Sequence, residues 1–434
     1  MDKPDTGLHP RYAAPKLEAA LADTPVVLIH GPRQCGKTTL ARQYGRKHGY
    51  DYISFDDPGQ LELLRADPTT FFAGLPERVI LDEVQRIPEQ FTRIKSIVDN
   101  NRIPGRFILT GSANILSMPG LTDSLAGRME KVRLAPLAQV ELRRAEPSRF
   151  LEALFQGSFK SYPNAGVRLG GTLAERIVAG GFPAALKRQS GSHRRKEWFV
   201  NYVDALIYRD ARDVSGIRRL EYLEHMLTRA AEQSAQLWQV SNLASKLAIT
   251  APTARDYTAV LERLFLIERL PIWSRHESGS ILKTPKLHFV DTGLAAALLQ
   301  IGAEELWKNR HPLYGQLLET YIYQELRRQA SWHSDRVRFG YYRDKKQVEV
   351  DIVLECTRQV VGIEVKASST VEARDFRGLQ KFADFAGDAF RTGILFYDGE
   401  AIMAFDRMHA VPISLLWGET GSSLAGDQLE MMGV

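Results

Sequence analysis

The sequence predicts an α/β protein of several domains that opens with a parallel sheet covered by helices on both faces. Three observations carry this reading. Short apolar strands alternate with helical stretches through the first 140 residues. One of these strands runs directly into a glycine-rich turn and a helix. In the last third, three closely spaced strands stand between an amphipathic helix and a second helix. Alternation of this kind gives helices packed on a parallel sheet. At 434 residues the chain exceeds one typical core. We divide it into residues 1–140, 141–236, 237–300 and 301–434.

The first strand, Val26 to Ile29, enters "GPRQCGKTTL". Gly31-Pro32-Arg33-Gln34-Cys35-Gly36-Lys37-Thr38 fits G-x4-G-K-[ST] at every fixed position, with Thr39 following. Glycines let the backbone wrap a phosphate, and the amides from Gly31 to Thr38 point inward as donors. The helix from about Lys37 to Tyr44 adds its positive N-terminal end. Lys37 is expected on the terminal phosphates of ATP, and the Thr38 hydroxyl on Mg2+.

A second strand, Val79 to Leu81, ends in Asp82-Glu83. A carboxylate at a strand end beside a phosphate loop holds the metal, and its neighbour can take a proton from attacking water. Asp82 is expected in the first role and Glu83 in the second. A third strand, "RFILTGSAN", ends in Thr110, Gly111 and Ser112, small polar residues suited to lie between the acids and the γ-phosphate. "LAGRMEKVRL" places Arg128 before a strand from Lys131 to Leu134, where it is either a finger on phosphate, in cis or from a neighbour, or a surface arginine. "YDYISFDD" supplies one more strand.

These segments resemble prokaryotic AAA+-type P-loop ATPases that carry a poorly characterised C-terminal region. "GPRQCGKTTL", "VILDEVQRIP", "FILTGSANIL" and "LAGRMEKVRLAPL" carry the resemblance, and "YRDARDV", "PKLHFVDTGLAAAL" and "GQLLETYIYQEL" extend it. It implies a five-stranded core that binds ATP with Mg2+ and an assembly of several copies.

From Glu141 to Gln236 the pattern is helical and basic, and fits a connecting bundle or a nucleic-acid surface. Beyond it, "LWQVSNLASKLAITAPTARDYTAVLERLFLIERLPIW" reads helix, turn, helix, strand. Pro252 suits a first helical turn, and Tyr257, Val260, Leu261 and Leu264 form a buried stripe. With "PKLHFVD" as the paired strand, this is a winged-helix pattern. Thr253 and Arg255 would face a major groove if it binds DNA.

In the C-terminal region the order is helix (Leu313 to Ala330), three strands, helix, strand. Asp351 lies on one strand, and "VVGIEVKAS" puts Glu364 and Lys366 on one face of the next. Adjacent antiparallel strands bring Asp351 beside Glu364. Two carboxylates there would hold Mg2+, with Lys366 beside them on water or phosphate, and Glu319 from the preceding helix as a fourth group. The pattern D-x12-E-x-K and the element order resemble the PD-(D/E)XK nuclease superfamily. The other reading of Glu364 and Lys366 is a buried ion pair in a structural sheet. Arg343, Lys345 and Lys346 form a basic loop beside the site.

The composition is 44% hydrophobic and 25% charged with a formal charge of +5, ordinary for a globular chain and compatible with a DNA partner. No apolar run reaches the length of a membrane span. The opening "MDKPDTGLHP" lacks a signal-peptide core, and two cysteines cannot build a disulfide framework, so a cytoplasmic location is expected. Two functions fit. One is an ATPase that couples nucleotide state to DNA binding or phosphodiester cleavage. The other is an ATP-gated switch or scaffold, of toxin–antitoxin or signalling type, whose nuclease-like domain binds a protein and does not cleave.

Overall fold

The computed structural model describes residues 7–111, 125–147, 149–157, 159–188, 193–211, 219–275, 284–308 and 311–421. Five strands form the first sheet: β1 (Val26–His30), β2 (Asp51–Ser54), β3 (Val79–Asp82), β4 (Phe107–Gly111) and β5 (Met129–Arg133). Their order is β2-β3-β4-β1-β5, and every neighbouring pair is parallel. β1, β3 and β4 are buried along their whole length, as central strands covered on both faces must be. One face packs Val26, Leu28, Leu81 and Leu109 against Phe91 and Ile94, and the other packs Val27, Ile29 and Ile108 against Leu17 and Leu40. The order brings the C-terminal ends of β1, β3 and β4 together, which is where open α/β sheets place their ligands.

The remainder is built on a six-stranded sheet. β8 (Arg338–Arg343), β9 (Glu349–Cys356), β10 (Gln359–Lys366), β11 (Phe390–Tyr397), β12 (Met403–Phe405) and β13 (Met408–Pro412) lie in the order β12-β13-β11-β10-β9-β8. The pairs β8·β9 and β9·β10 are antiparallel, whereas β10·β11 and β11·β13 are parallel. The Tyr314–Trp332 helix covers one face, and the Arg377–Ala386 helix covers the other.

Between the sheets, helices Leu220–Glu232, Val240–Lys246 and Ala251–Arg263 precede an antiparallel pair, β6 (Ile267–Leu270) and β7 (Lys286–Phe289). Thr250 caps the Ala251–Arg263 helix by accepting from the Thr253 amide, and Tyr257, Val260, Leu261 and Leu264 are buried as the sequence pattern requires. Most of the segment between β6 and β7, expected as a wing, lies outside the described residues.

One apolar core runs through most of this remainder, on one face of the C-terminal sheet. It joins Phe150 and Leu154 to Phe396, Leu261 and Leu287 to Leu317, and ends at Trp417. Segments 141–236, 237–300 and 301–434 therefore bury their apolar faces together. The Phe150–Gln156 helix and the bridge Tyr162↔Ile402 even attach the beginning of the connector to the C-terminal sheet. Among the described residues no helix is long and apolar enough to cross a membrane.

Candidate functional sites

The turn after β1 wraps as a phosphate loop. Gly31 (φ +153°) faces the carbonyl of Leu134, leaving no room for a side chain, and Gly36 (φ +104°) starts the Lys37–His48 helix from the left-handed region. Lys37 folds back over the loop, donating to the carbonyls of Gly31 (3.1 Å) and Pro32 (2.7 Å). Cys35 is buried, with its thiol 3.3 Å from the Leu134 carbonyl, and so ties the loop to the end of β5.

Thr38 Oγ1 donates to Asp82 Oδ1 at 2.9 Å. Tyr52 donates to the other carboxylate oxygen at 2.7 Å, and the Thr110 hydroxyl also bonds Asp82. Burial first, and then the bond to Asp82, push the Tyr52 phenol up to about 12, so it stays a donor. A hydroxyl and a carboxylate held this close at the mouth of the phosphate loop are an oxygen donor set suited to Mg2+. Glu83 follows with φ +58°, a strained backbone for a non-glycine residue. Its amide donates to Thr110 Oγ1 at 3.3 Å, and Gln85 donates to its carboxylate.

Arg33, Gln34, Cys35, Gly36, Lys37, Thr38, Thr39 and Glu83 line one cavity of ≈ 730 Å³. Further walls come from the N-terminal segment (Leu8, His9, Arg11) and from the part of the chain beyond the first sheet (Pro183, Ala184, Leu186, Lys187, Arg209). Arg209 stands on a π-helical turn, Leu206–Asp210, a geometry frequent at functional sites. In the sequence Arg209 is marked only by the "YRDARDV" landmark, which assigns it no role. Its place over the phosphate loop depends on the path of the chain some 170 residues later. Arg128 does not line this cavity. It is bound to the Asp99 carboxylate, with its second guanidinium nitrogen 3.0 Å away, at the surface. Ser112 lies outside the described residues.

Arg11 connects the cavity to the rest of the chain. It donates to the carbonyls of Cys35 and Ala135, each at 2.6 Å, and to Glu141 at 3.1 Å. Glu141, 1% exposed, also accepts from the amides of Tyr12 and Ala138. Two residues before it, the Gln139 amide donates to Glu325 on the Tyr314–Trp332 helix, at 3.0 Å. Glu325 pairs with Arg328 at 2.6 Å, and Arg328 with Asp291 at 3.3 Å. Asp291 in turn accepts from the Gly181 amide at 2.7 Å, just before Pro183 in the cavity wall.

The second candidate site is on the C-terminal sheet. The β9·β10 ladder runs to Ile363↔Ile352, one residue short of Asp351 and Glu364. Asp351 lies close enough for its charge to act on Glu364, and Asp351 Oδ2 accepts from the Val365 amide at 3.0 Å. Glu319 reaches the same place from its helix. At the centre stands a residue that sequence reading did not single out. Lys286 of β7 puts its ammonium 2.8 Å from Glu319, 2.5 Å from Glu349 and 3.3 Å from Asp351, with its side chain 2% exposed. Burial alone would lower the Lys286 pKa, but Glu319, Asp351 and Glu349 outweigh it and hold the ammonium firmly protonated. Burial, and then the neighbouring Asp351 charge, push Glu364 well up.

Lys366 turns away from this cluster and pairs with Asp375. Arg343 takes the second oxygen of Glu349 at 3.0 Å, while Lys345 and Lys346 stay exposed. The donors do not fit a divalent cation as they stand, because Lys286 holds the inner oxygens. Among the described residues no three His, Cys, Asp or Glu side chains are arranged to hold a metal ion.

Comparison with known proteins adds a family for the first part. A family model described as an AAA domain matches residues 23–143. Two domains of unknown function match the rest, DUF8612 over residues 170–305 and DUF4143 over residues 314–416. Uncharacterized proteins of Mycobacterium tuberculosis and Mycobacterium bovis are each 29% identical over 362 residues, 83% of this chain and 74% of theirs. Among solved structures, the Walker-type ATPase of Pyrococcus abyssi aligns at 18% identity and a TM-score of 0.44, over 68% of this chain and 97% of that one. The RuvB Holliday junction branch migration motor of Thermotoga maritima aligns at 20% identity and a TM-score of 0.28, over 60% and 89%. The first part is an AAA+-type P-loop ATPase domain, on the family match and on its own strand order and loop.

Proposed function

We propose that this protein binds and hydrolyses ATP with Mg2+ and works as a nucleotide-gated switch. Lys37 meets the terminal phosphates, Thr38 and Asp82 would hold the cation, and Glu83 takes a proton from the attacking water. The cation supplies charge neutralisation for the phosphates. Arg209 and Lys187, from the part of the chain beyond the first sheet, line the same cavity and add positive charge to it. The γ-phosphate thereby becomes a group that both parts of the chain touch, and its loss changes what holds them together. This two-sided cavity is the observation that carries the switch reading. The bonded path through Arg11, Glu141, Gln139 and Glu325 offers a route from the phosphate loop to the C-terminal helix.

The test is hydrogen exchange of the full chain with ATP, ADP and no nucleotide. A switch protects the Pro183–Leu186 segment and the Tyr314–Trp332 helix differently in the three states. Protection confined to the phosphate loop would leave an ATPase without the switch.

A second reading gives the switch a DNA partner. It rests on the winged-helix order of elements and on Lys246 and Arg255, each exposed on one of its two helices. Salt-dependent duplex binding that Arg255→Ala weakens would support it, and a protein partner is the alternative. Assembly into several copies is also proposed. Arg128, remote from its own cavity, then has a neighbour's nucleotide to reach. Cleavage of a phosphodiester by Asp351, Glu364 and Lys366 is not carried into this proposal, since Lys286 stands among the carboxylates and Lys366 faces Asp375.

A further inference from the structure

We infer that Lys286 is the resident cation of the carboxylate cluster on the C-terminal sheet. It takes the place of a divalent metal and makes the cluster a joint between the β6–β7 hairpin and the nuclease-like domain. Glu319, Glu349, Asp351 and Glu364 converge from a helix and two strands, and carboxyl groups so close need positive charge, beside any proton they retain, to coexist. A divalent ion is one source. This chain supplies another from within, because Lys286 reaches three of the four carboxylates from a strand outside the domain.

The placement is built. Lys286 is the first residue of β7, held in register by the pairing Lys286↔Leu270, with its neighbour held by Leu287↔Arg269. Its side chain is 2% exposed, and its ammonium also lies 5.7 Å from the centre of the Tyr341 ring. The Tyr341 hydroxyl donates to the Thr284 carbonyl, two residues before Lys286, so the strand that delivers the lysine is itself fastened to β8. Arg343 balances the outer oxygen of Glu349. An ammonium is a compact point charge with three donors, suited to several carboxylates at once.

A metal-binding cluster and a lysine-filled one differ in what a cation does to the folded protein. Mn2+ is the probe, added to the nucleotide-free full chain and followed by electron paramagnetic resonance and by thermal melts. Unmodified protein and Asp351→Asn are expected to give superimposable Mn2+ titrations. Lys286→Met opens the position, and should gain about one equivalent of bound Mn2+, lose it again in Lys286→Met/Asp351→Asn, and melt higher with Mn2+ than without. Lys286→Arg should stay folded and gain none. The inference is overturned if Asp351→Asn lowers Mn2+ binding by the otherwise unmodified chain, since the metal then displaces the lysine. It is equally overturned if Lys286→Met folds and binds no extra Mn2+, or stays unfolded at every Mn2+ concentration.

Discussion

Arg11 donates to the Cys35 carbonyl inside the phosphate loop at 2.6 Å, and the same guanidinium holds Glu141 at 3.1 Å. One side chain thus touches the loop that wraps phosphate and the segment that contacts the C-terminal helix through Gln139 and Glu325. Any rearrangement of the loop on binding ATP pulls on this arginine. We expect Arg11→Ala to keep the fold, weaken nucleotide binding, and abolish the ATP-dependent change in hydrogen exchange over the Tyr314–Trp332 helix. If that change survives at full size, the signal travels by another route.

Lys37→Ala and Glu83→Gln should fail in different ways. Lys37 meets phosphate charge that is present before reaction, so its loss removes tight nucleotide binding. Glu83 acts on water only during reaction, so Glu83→Gln should bind ATP normally and lose about 10²–10⁴ in turnover. Binding measured with labelled nucleotide, beside phosphate release, separates the two. Unimpaired turnover in Glu83→Gln would assign the base elsewhere.

Arg209 and Arg128 make a second pair with opposite expectations. Arg209 lines the cavity of its own chain, so Arg209→Ala should lower turnover without rescue by any mixed assembly. Arg128 sits at the surface on Asp99. As a finger supplied to a neighbour, it should cost up to roughly 10³-fold or more when replaced by Ala. Mixing Arg128→Ala with Lys37→Ala protein should then restore part of the activity. Full activity of Arg128→Ala alone would leave it a surface ion pair.

The pH dependence of stability should report the carboxylate cluster. Burial, and then the Asp351 charge, push Glu319 up to about 8 from an ordinary 4.5, with Lys286 pulling the other way. Between these values the folded chain keeps a proton that the unfolded chain has released, so stability falls as pH rises across that window. Glu364 is shifted in the same direction. Glu319→Gln keeps the shape and removes one titration. Its melting temperature should therefore decline less steeply from about pH 5 to about pH 8 than that of the unmodified chain. Parallel slopes would show that Glu319 is not the proton carrier.

The parts legible in the sequence are those written in consecutive residues. The phosphate loop needs a strand, two glycines, a lysine and a hydroxyl within one turn, and local backbone preference alone places them. Asp82 and Glu83 follow from an apolar strand that stops, and the order of strands and helices in the C-terminal region follows from hydrophobic period. Even the approach of Asp351 to Glu364 could be read, because a short connection between antiparallel strands sets the register. Packing between distant segments decided the rest. Lys286 is 65 residues from Asp351, and Arg11 is 130 from Glu141. Lys366 lies two residues from Glu364, yet its ammonium goes to Asp375 on the next turn of structure. A charged side chain has several partners within reach, and which one it takes depends on desolvation and on the other charges brought near it. Only the shared core that folds the second half around the C-terminal sheet sets those neighbours, placing Arg209 over the phosphate loop and an ammonium where the motif called for a metal.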